Sequence, residues 1–320
     1  MGCIVCGSES KRRSEVLGPD LIGAWQLSPF EVSYIDRQQG DGCGACGANL
    51  RSMVLAKALL SIFQFQGTLD EAAAAVAFEP DFRILEINDA GSLSPTLRKL
   101  PGHIYGAYPE VDLHSLPYAN DVFDVIVHSD TLEHVENPVH ALTECLRVLK
   151  PGGHLCFTVP AVVGRLTRGR AGLSPSYHGD PLVNASDYLV HSEFGADTWT
   201  YVIAAGFCEV TVHALEFPVA LAWTGRKELG PTGRDDFGKT STASRYVPKE
   251  EFYEDAPCKV KVLHRGSDGG KDSDEVSRQV LLAELDATKR RIRELEESTS
   301  WRVTRPMRLL KEVVLGLRRE

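Results

Sequence analysis

The segment Ile84-Leu-Glu-Ile-Asn-Asp-Ala-Gly-Ser92 is the most informative part of this 320-residue chain about its fold. Its first four residues form a short, largely apolar run that predicts a buried strand, and small or turn-forming residues follow. A strand that runs into such a turn before a helix lets a ligand approach the backbone at the carboxyl end of a parallel strand. We expect a nucleotide-like ligand here, although glycine and alanine are also common in turns that bind nothing.

Strand and helix patterns alternate on the carboxyl side of this stretch. Buried strands are predicted at 122–128, 154–159, 207–215 and 259–264, and helices at 137–149 and 198–205. This alternation predicts an α/β sandwich whose parallel strands are joined by right-handed crossovers. On the amino side, residues 49–65 have apolar residues at helical spacing, and Thr68-Leu-Asp-Glu71 is the capping box of a second helix.

Four more motifs follow the turn in a fixed order. They are Asp112-Leu-His-Ser-Leu-Pro117, Phe123-Asp124 before a strand, Leu132-Glu-His-Val135 and Arg147-Val-Leu-Lys-Pro-Gly-Gly153. Together with the turn, these motifs resemble those of the class I S-adenosylmethionine-dependent methyltransferases. The resemblance covers roughly residues 80–215. It implies a Rossmann-like sandwich that binds S-adenosylmethionine.

The resemblance also implies which residues hold the cofactor. The methionine and ribose side would be lined by Glu86, Asn88, Ala90, Gly91 and Ser92. Asp112 and Leu113 would lie near the adenine, and Ser129 would border the methyl-transfer centre.

Three features depart from the family pattern. Asn88 and Ala90 stand where glycines are usual, although both are small and asparagine tolerates a positive φ. The second strand, its helix and the third strand are compressed between Gly91 and Asp112. Ala107 stands near the place of the ribose-binding acid, so Glu110 or Asp112 would take that role.

Histidines are the candidates for a general base, because they titrate near neutral pH. We favour His178, whose loop is polar and aromatic, and then His134, which follows the fourth strand of the family pattern. His191 is a third candidate, and each of the three could equally be an ordinary surface or turn histidine. Because the sulfonium methyl is already activated, positioning of the acceptor alone can be sufficient.

Four of the eight cysteines form two pairs, Cys3-x-x-Cys6 and Cys43-x-x-Cys46. Each pair is followed by glycine, which suits the tight knuckle of a tetrahedral zinc site. The alternatives are free thiols or a redox pair, and the 36 residues between the pairs make a long loop. A small amino-terminal zinc module also resembles what some bacterial methyltransferases of this class carry.

Composition excludes several classes of protein. The chain has a net charge of −9, which argues against nucleic acid as a partner. No run approaches about 18 apolar residues, so no membrane-spanning helix is expected. The amino terminus has no apolar core typical of a secretory signal, and we expect a cytoplasmic protein.

The carboxyl-terminal part has its own pattern. Leu281, Leu285, Thr288, Ile292 and Leu295 follow the spacing of a short coiled-coil seam, which predicts a homodimer through residues 277–299. Six basic residues alternate with apolar ones in 301–319, as in helices that lie on anionic membranes. The segment Ser300-Trp-Arg-Val-Thr-Arg-Pro-Met-Arg308 resembles tails of bacterial glycosyltransferases and other surface-glycan proteins. A helix docked on its own domain or on a partner is the alternative.

These observations predict five parts of the chain. They are a zinc-ribbon-like module (1–50), a helical lead-in (51–80), a methyltransferase domain (81–264), a linker (265–276) and a coiled, basic tail (277–320). The expected function is methylation of an oxygen on a small-molecule sugar or glycan intermediate, at the cytoplasmic face of a bacterial inner membrane. The alternatives are a non-catalytic scaffold with a degenerate methyltransferase fold, and a protein or nucleic-acid methyltransferase.

Overall fold

The computed structural model describes residues 2–76, 78–177, 187–229 and 259–263, the last of these as backbone only. The helices in these ranges are α1 Pro19–Ala24, α2 Pro29–Gly40, α3 Leu50–Ile62, α4 Leu69–Ala75, α5 Ser94–Leu97, α6 Pro138–Val148 and α7 Thr198–Ala204. The strands are β1 Lys11–Arg12, β2 Gly42–Cys43, β3 Ile84–Ile87, β4 His103–Gly106, β5 Phe123–Ser129, β6 Leu149–Thr158, β7 Ala161–Val162, β8 Arg168–Gly169, β9 Ser192–Gly195, β10 Glu209–Leu215, β11 Ala220–Arg226 and β12 Lys259–Leu263.

A seven-stranded sheet forms the centre of the described structure, with the strand order β12-β10-β11-β6-β5-β3-β4. The four strands β4, β3, β5 and β6 are parallel, as the sequence predicts. Strand β11 is antiparallel to both β6 and β10, so the sheet is mixed and not parallel throughout. The sequence analysis did not predict β11, because its residues Ala-Leu-Ala-Trp-Thr-Gly-Arg include few of the β-branched side chains typical of strands.

Strand β4 lies at one edge of this sheet. In the described part of the chain, the segment between β4 and β5 contains no third strand, only an isolated bridge between Asp112 and Ser115. The compression expected from the short spacing therefore shortens the sheet at this edge.

Helices cover both faces of the sheet. Helix α3 packs across β6, β10 and β11, while α6 and α7 pack on the opposite face. On the second face Trp223 stacks on Phe157 with ring centroids 5.6 Å apart, and both side chains are fully buried. The sandwich is thus a Rossmann-like α/β fold with a mixed sheet.

The amino-terminal region contains helices that the sequence analysis did not predict. It expected little helical periodicity before residue 48, yet α1 and α2 lie there. Helix α2 is defined by its ends more than by an apolar face: Ser28 and Glu31 form a capping box, Pro29 follows the cap, and Phe30 is exposed. End signals of this kind are easily missed when periodicity is the criterion.

A small sheet of β7, β9 and β8 forms beside the main one. It joins the amino-terminal region through a cluster of Trp25, Leu27, Val162 and Val190. Arg165 strengthens this junction by donating to both carboxylate oxygens of Glu31, at 2.6 and 2.7 Å.

Several predictions lie outside the described residues. They concern His178, the linker 265–276, the seam 277–299 and the tail 300–320. Within the described part, no helix is long and apolar enough to cross a membrane.

Candidate functional site

The turn after β3 has a left-handed backbone at two positions, which its small and turn-forming residues tolerate. Asn88 has φ of 55° and Gly91 has φ of 59°, both in the left-handed region. A Cβ added to Gly91 would lie 3.2 Å from Oγ of Ser52, and no other neighbouring atom is within 4 Å. A side chain at Gly91 would therefore crowd Ser52, and the left-handed turn depends on asparagine and glycine, which tolerate a positive φ.

Glu86, on β3, holds the turn in shape through hydrogen bonds to the residues that follow the strand. Its carboxylate is fully buried and accepts hydrogen bonds from the backbone N–H of Ala90, at 2.9 Å, and from the hydroxyl of Ser94. The other carboxylate oxygen lies 2.8 Å from Nε2 of His103, on β4. Glu86 thus holds the turn in shape, and it does not itself present a surface to a ligand.

Asn88 connects three strand ends. Its Oδ1 accepts from the backbone N–H of Tyr108 at 3.0 Å, and its Nδ2 donates to Oγ1 of Thr131 at 3.4 Å. These bonds join the segments that follow β3, β4 and β5. The sequence suggested that Asn88 could replace a glycine, but not that its side chain would bridge the neighbouring loops.

The two residues predicted to lie near the adenine differ in exposure. Leu113 is buried, and Oδ1 of Asp112 accepts from the backbone N–H of His114 at 2.8 Å. The Asp112 side chain is 43% exposed. Ala107 is half-buried and Glu110 is exposed, so the structure leaves both Glu110 and Asp112 accessible.

Beyond β5, polar side chains converge at the carboxyl edge of the sheet. Ser129 Oγ lies 2.8 Å from Oγ1 of Thr158. Asp130 has φ of 51° and pairs with Arg51 of α3, with 3.0 Å between Oδ1 and Nη1. Ser92 adds a buried hydroxyl that has no hydrogen-bond partner in the described structure. The sequence analysis did not predict the Arg51–Asp130 pair, since nothing in a helical apolar pattern marks one arginine as buried and ion-paired.

His134 lies at the end of the short helical turn Leu132–His134. Its Nδ1 is 3.0 Å from the carbonyl oxygen of Leu189, and its Nε2 is 3.8 Å from Oε1 of Glu133. When Nδ1–H donates to that carbonyl, the neutral ring keeps its acceptor lone pair on Nε2. His191 is half-buried, and its backbone N–H donates to the carbonyl of Glu133 at 2.8 Å.

The two cysteine pairs are adjacent in space, although 36 residues lie between them in the sequence. The four Sγ atoms of Cys3, Cys6, Cys43 and Cys46 all lie within 4.8 Å of one another. The Cys3–Cys46 and Cys6–Cys43 distances are both 3.7 Å. A tetrahedral zinc with bonds of about 2.3 Å requires sulfur atoms about 3.8 Å apart, so the cluster has the size of a zinc site.

The backbone around the cysteines repeats the same knuckle twice. Gly7 and Gly47 both have φ of 77°, and each donates its N–H to the carbonyl of the first cysteine of its pair. Burial raises the pKa of the Cys43 thiol, but N–H groups of Cys46 and Ala45 and the neighbouring thiols outweigh it and lower that pKa to about 7. A thiolate is the form that binds metal.

Comparison with known proteins shows a similarity to methyltransferases over part of the chain. Residues 92–157 match the family model of a methyltransferase domain. A demethylmenaquinone methyltransferase of Clavibacter sepedonicus is 30% identical over 154 residues, which are 44% of this chain and 62% of that protein. An uncharacterized 37.1 kDa protein in transposon Tn4556 of Streptomyces fradiae is 28% identical over 137 residues, covering 41% of this chain and 39% of that protein. The chain thus spans less than two thirds of either relative.

Among solved structures, a methyltransferase of Mesorhizobium loti dependent on S-adenosylmethionine is 16% identical. The match covers 49% of this chain and 96% of that one, with a TM-score of 0.31. The segment that matches the family model includes β4, β5 and α6 and nearly all of β6, which surround the turn after β3. Residues 92–157, within the Rossmann-like fold, are therefore similar to a methyltransferase domain.

Proposed function

We propose that this protein is a methyltransferase that uses S-adenosylmethionine. The observation that carries the proposal is the left-handed turn at Asn88–Gly91, at the carboxyl end of β3. This turn directly precedes the segment 92–157 that matches the methyltransferase domain model. Ligands bind at this edge of open α/β sheets. The bound cofactor supplies an electrophilic methyl group on a sulfonium. In this proposal Asn88, Gly91, Ser92, Asp112 and Ser129 hold and orient the cofactor. The buried residues Glu86, Ala90 and Leu113 give the site its shape and do not contact the cofactor.

The acceptor in this proposal is an oxygen of a sugar or glycan intermediate. His134 takes the proton of the acceptor hydroxyl at Nε2, because the Leu189 carbonyl fixes its other nitrogen. His178 remains the second candidate for this step. The glycan assignment is supported by the resemblance of residues 300–308 to tails of surface-glycan proteins.

The cysteine cluster is proposed to hold one zinc ion with a structural role. Four thiol ligands at tetrahedral spacing support this assignment. Four protein ligands also leave no open position for substrate or water, as in structural zinc sites. The ion would fix the two knuckles that link the amino terminus to the start of α3.

Methyl transfer from labelled S-adenosylmethionine tests the proposal. The full chain is incubated with nucleotide sugars and lipid-linked glycans, and in parallel with protein and RNA mixtures. We expect label in a sugar product. His134→Gln should lower the rate by about 10²-fold or more. His140→Gln, on the exposed side of α6, serves as the matched control.

The outcomes separate the alternatives. Label in protein or RNA would replace the glycan assignment. No label in any acceptor, together with no cofactor binding, would support the non-catalytic scaffold. Equal rates for His134→Gln and His140→Gln would remove His134 from the mechanism.

A further inference from the structure

The first cysteine knuckle is bonded to the start of α4. The backbone N–H groups of Leu69 and Asp70, the first two residues of α4, donate to the two carbonyl oxygens that lie between Cys3 and Cys6, at 2.9 and 3.0 Å. These bonds join segments that are more than 60 residues apart in the sequence. The position of the first knuckle therefore determines where α4 begins.

Helix α4 in turn contacts the helix that follows the turn after β3. Oδ1 of Asp70 accepts from the hydroxyl of Thr96, in α5, at 2.8 Å and from Nζ of Lys99 at 2.9 Å. Helix α5 begins with Ser94, whose hydroxyl donates to the buried carboxylate of Glu86 that holds the turn in shape. A continuous chain of contacts thus leads from the first knuckle to the turn.

The second knuckle leads directly into α3. The N–H of Cys43 donates to the carbonyl of Ala48 at 2.7 Å, and Asn49 then caps the helix by accepting from the N–H of Ser52 at 2.8 Å. The first turn of α3 is therefore held at the cysteine cluster.

This first turn of α3 also contacts the two strand ends at the proposed cofactor site. The hydroxyl of Ser52 lies 3.2 Å from the place that a Cβ of Gly91 would take, in the turn after β3. The guanidinium of Arg51 pairs with Asp130, after β5, at 3.0 Å. The second knuckle thus reaches the same turn as the first knuckle does, through a different helix.

We propose that zinc in the cysteine cluster controls the affinity of the turn for the cofactor. One ion bound by all four thiolates fixes the two knuckles relative to each other, and through them the starts of α3 and α4 against the turn. A turn that is already held in place costs less conformational entropy to order when the ligand binds. This inference rests on the proposed function and adds to it a regulation by zinc.

Two sites that are coupled in this way must affect each other equally, which gives the test. The affinity of the zinc-loaded full chain for zinc is measured by equilibrium competition with a chromogenic chelator, with and without saturating S-adenosylhomocysteine. We expect the ligand to raise the zinc affinity by about fivefold or more. Calorimetry before and after chelation should show that zinc raises the affinity for S-adenosylhomocysteine by the same factor.

A variant separates this coupling from a general stabilisation of the fold by the ligand. Asp70→Ala removes the contacts of α4 with Thr96 and Lys99 and leaves every cysteine in place. It should keep its zinc, but the ligand should raise its zinc affinity by about half the wild-type factor or less. Asp20→Ala, at an exposed position in the first turn of α1, is the matched control and should keep the full factor.

The outcomes distinguish the inference from the proposed function. Equal factors in Asp70→Ala and Asp20→Ala would mean that the ligand only stabilises the fold, and the inference would be wrong. It would also be wrong if the folded chain binds S-adenosylhomocysteine equally well with and without zinc, although the proposed function would then stand. A zinc-loaded wild-type chain that does not bind S-adenosylhomocysteine would instead overturn the proposed function itself.

Discussion

Gly91 combines a left-handed backbone with an exposed position at the carboxyl end of β3. Valine at φ of 59° is strained, and its Cβ would also lie 3.2 Å from the Ser52 hydroxyl. We predict that Gly91→Val weakens S-adenosylhomocysteine binding by more than about tenfold and costs about 1–2 kcal/mol of stability. Calorimetry and urea unfolding measure the two effects. Gly169→Val is the control, because a Cβ there meets nothing within 4 Å. If Gly91→Val binds the ligand as tightly as the wild type does, the assignment of the site to this turn is wrong.

Glu31 joins the amino-terminal region to the segment before β8. Hydrogen bonds from Arg165 lower the pKa of Glu31 to about 2, although burial acts in the opposite direction. Because folding lowers this pKa, the ionised form stabilises the fold. The stabilisation is complete above about pH 4.5, the ordinary value, and is lost as the pH falls towards 2.

We therefore predict that Glu31→Gln lowers the free energy of unfolding by about 2 kcal/mol at pH 7. The difference from wild type should shrink as the pH is lowered from 4.5 towards 2, as measured by urea unfolding. Glu15→Gln, at an exposed position, should show no such difference. A Glu31→Gln deficit that stays constant down to pH 2.5 would contradict the role of this carboxylate.

The sequence motifs identified the residues of the turn, but they did not predict the contacts that the side chains make. Glu86 and Asn88 were expected to face a ligand. In the structure Glu86 accepts hydrogen bonds that hold the turn in shape, and Asn88 connects the segments that follow neighbouring strands. Arg51 was not predicted at all. Such roles depend on contacts between residues far apart in sequence, which local patterns do not contain.

Among the elements, those with strong local signals were predicted well. Helices α3, α4 and α6 begin within two residues of their predicted starts. Asn49, Thr68 and Asn137 cap them, and of these caps the sequence analysis predicted Thr68. Helix α2 and strand β11 were missed, because the first lacks an amphipathic pattern and the second is rich in small residues. Tertiary packing forms them where local propensity is weak.

The cysteine knuckles fix the entry into α3, and their metal content can be measured directly. We predict about one zinc per chain by elemental analysis, because four sulfur atoms lie at tetrahedral spacing. Cys43→Ser should lose the zinc and lower the melting temperature, since bound metal stabilises the fold. Cys208→Ser removes a cysteine outside the cluster and should keep the zinc. A wild-type chain that folds stably without metal would refute the site.

At the scale of the whole molecule, the tail remains a prediction from sequence. We expect residues 300–320 to attach the protein to anionic vesicles, because each basic residue near such a surface contributes about 1 kcal/mol. A dimer formed through residues 277–299 would present two tails and bind more strongly. Removing residues 300–320 should release the protein, as measured by vesicle sedimentation, and should leave cofactor binding intact.

Salt and lipid composition provide the controls for this prediction. Binding should fall steeply with salt, since exposed charges are screened within about 10 Å at 0.1 M. Uncharged zwitterionic vesicles should bind little. If the full chain does not bind anionic vesicles at low salt, the membrane prediction is wrong, and the tail instead docks on its own fold or on a protein partner.

Cofactor binding is the central claim, and calorimetric titration of the full chain with S-adenosylhomocysteine tests it most directly. We predict saturable binding at about one ligand per chain, with a dissociation constant on the order of micromolar. Binding should be lost in Gly91→Val and kept in Gly169→Val. A folded wild-type chain that shows no binding at millimolar ligand would contradict the account and would leave the domain as a scaffold.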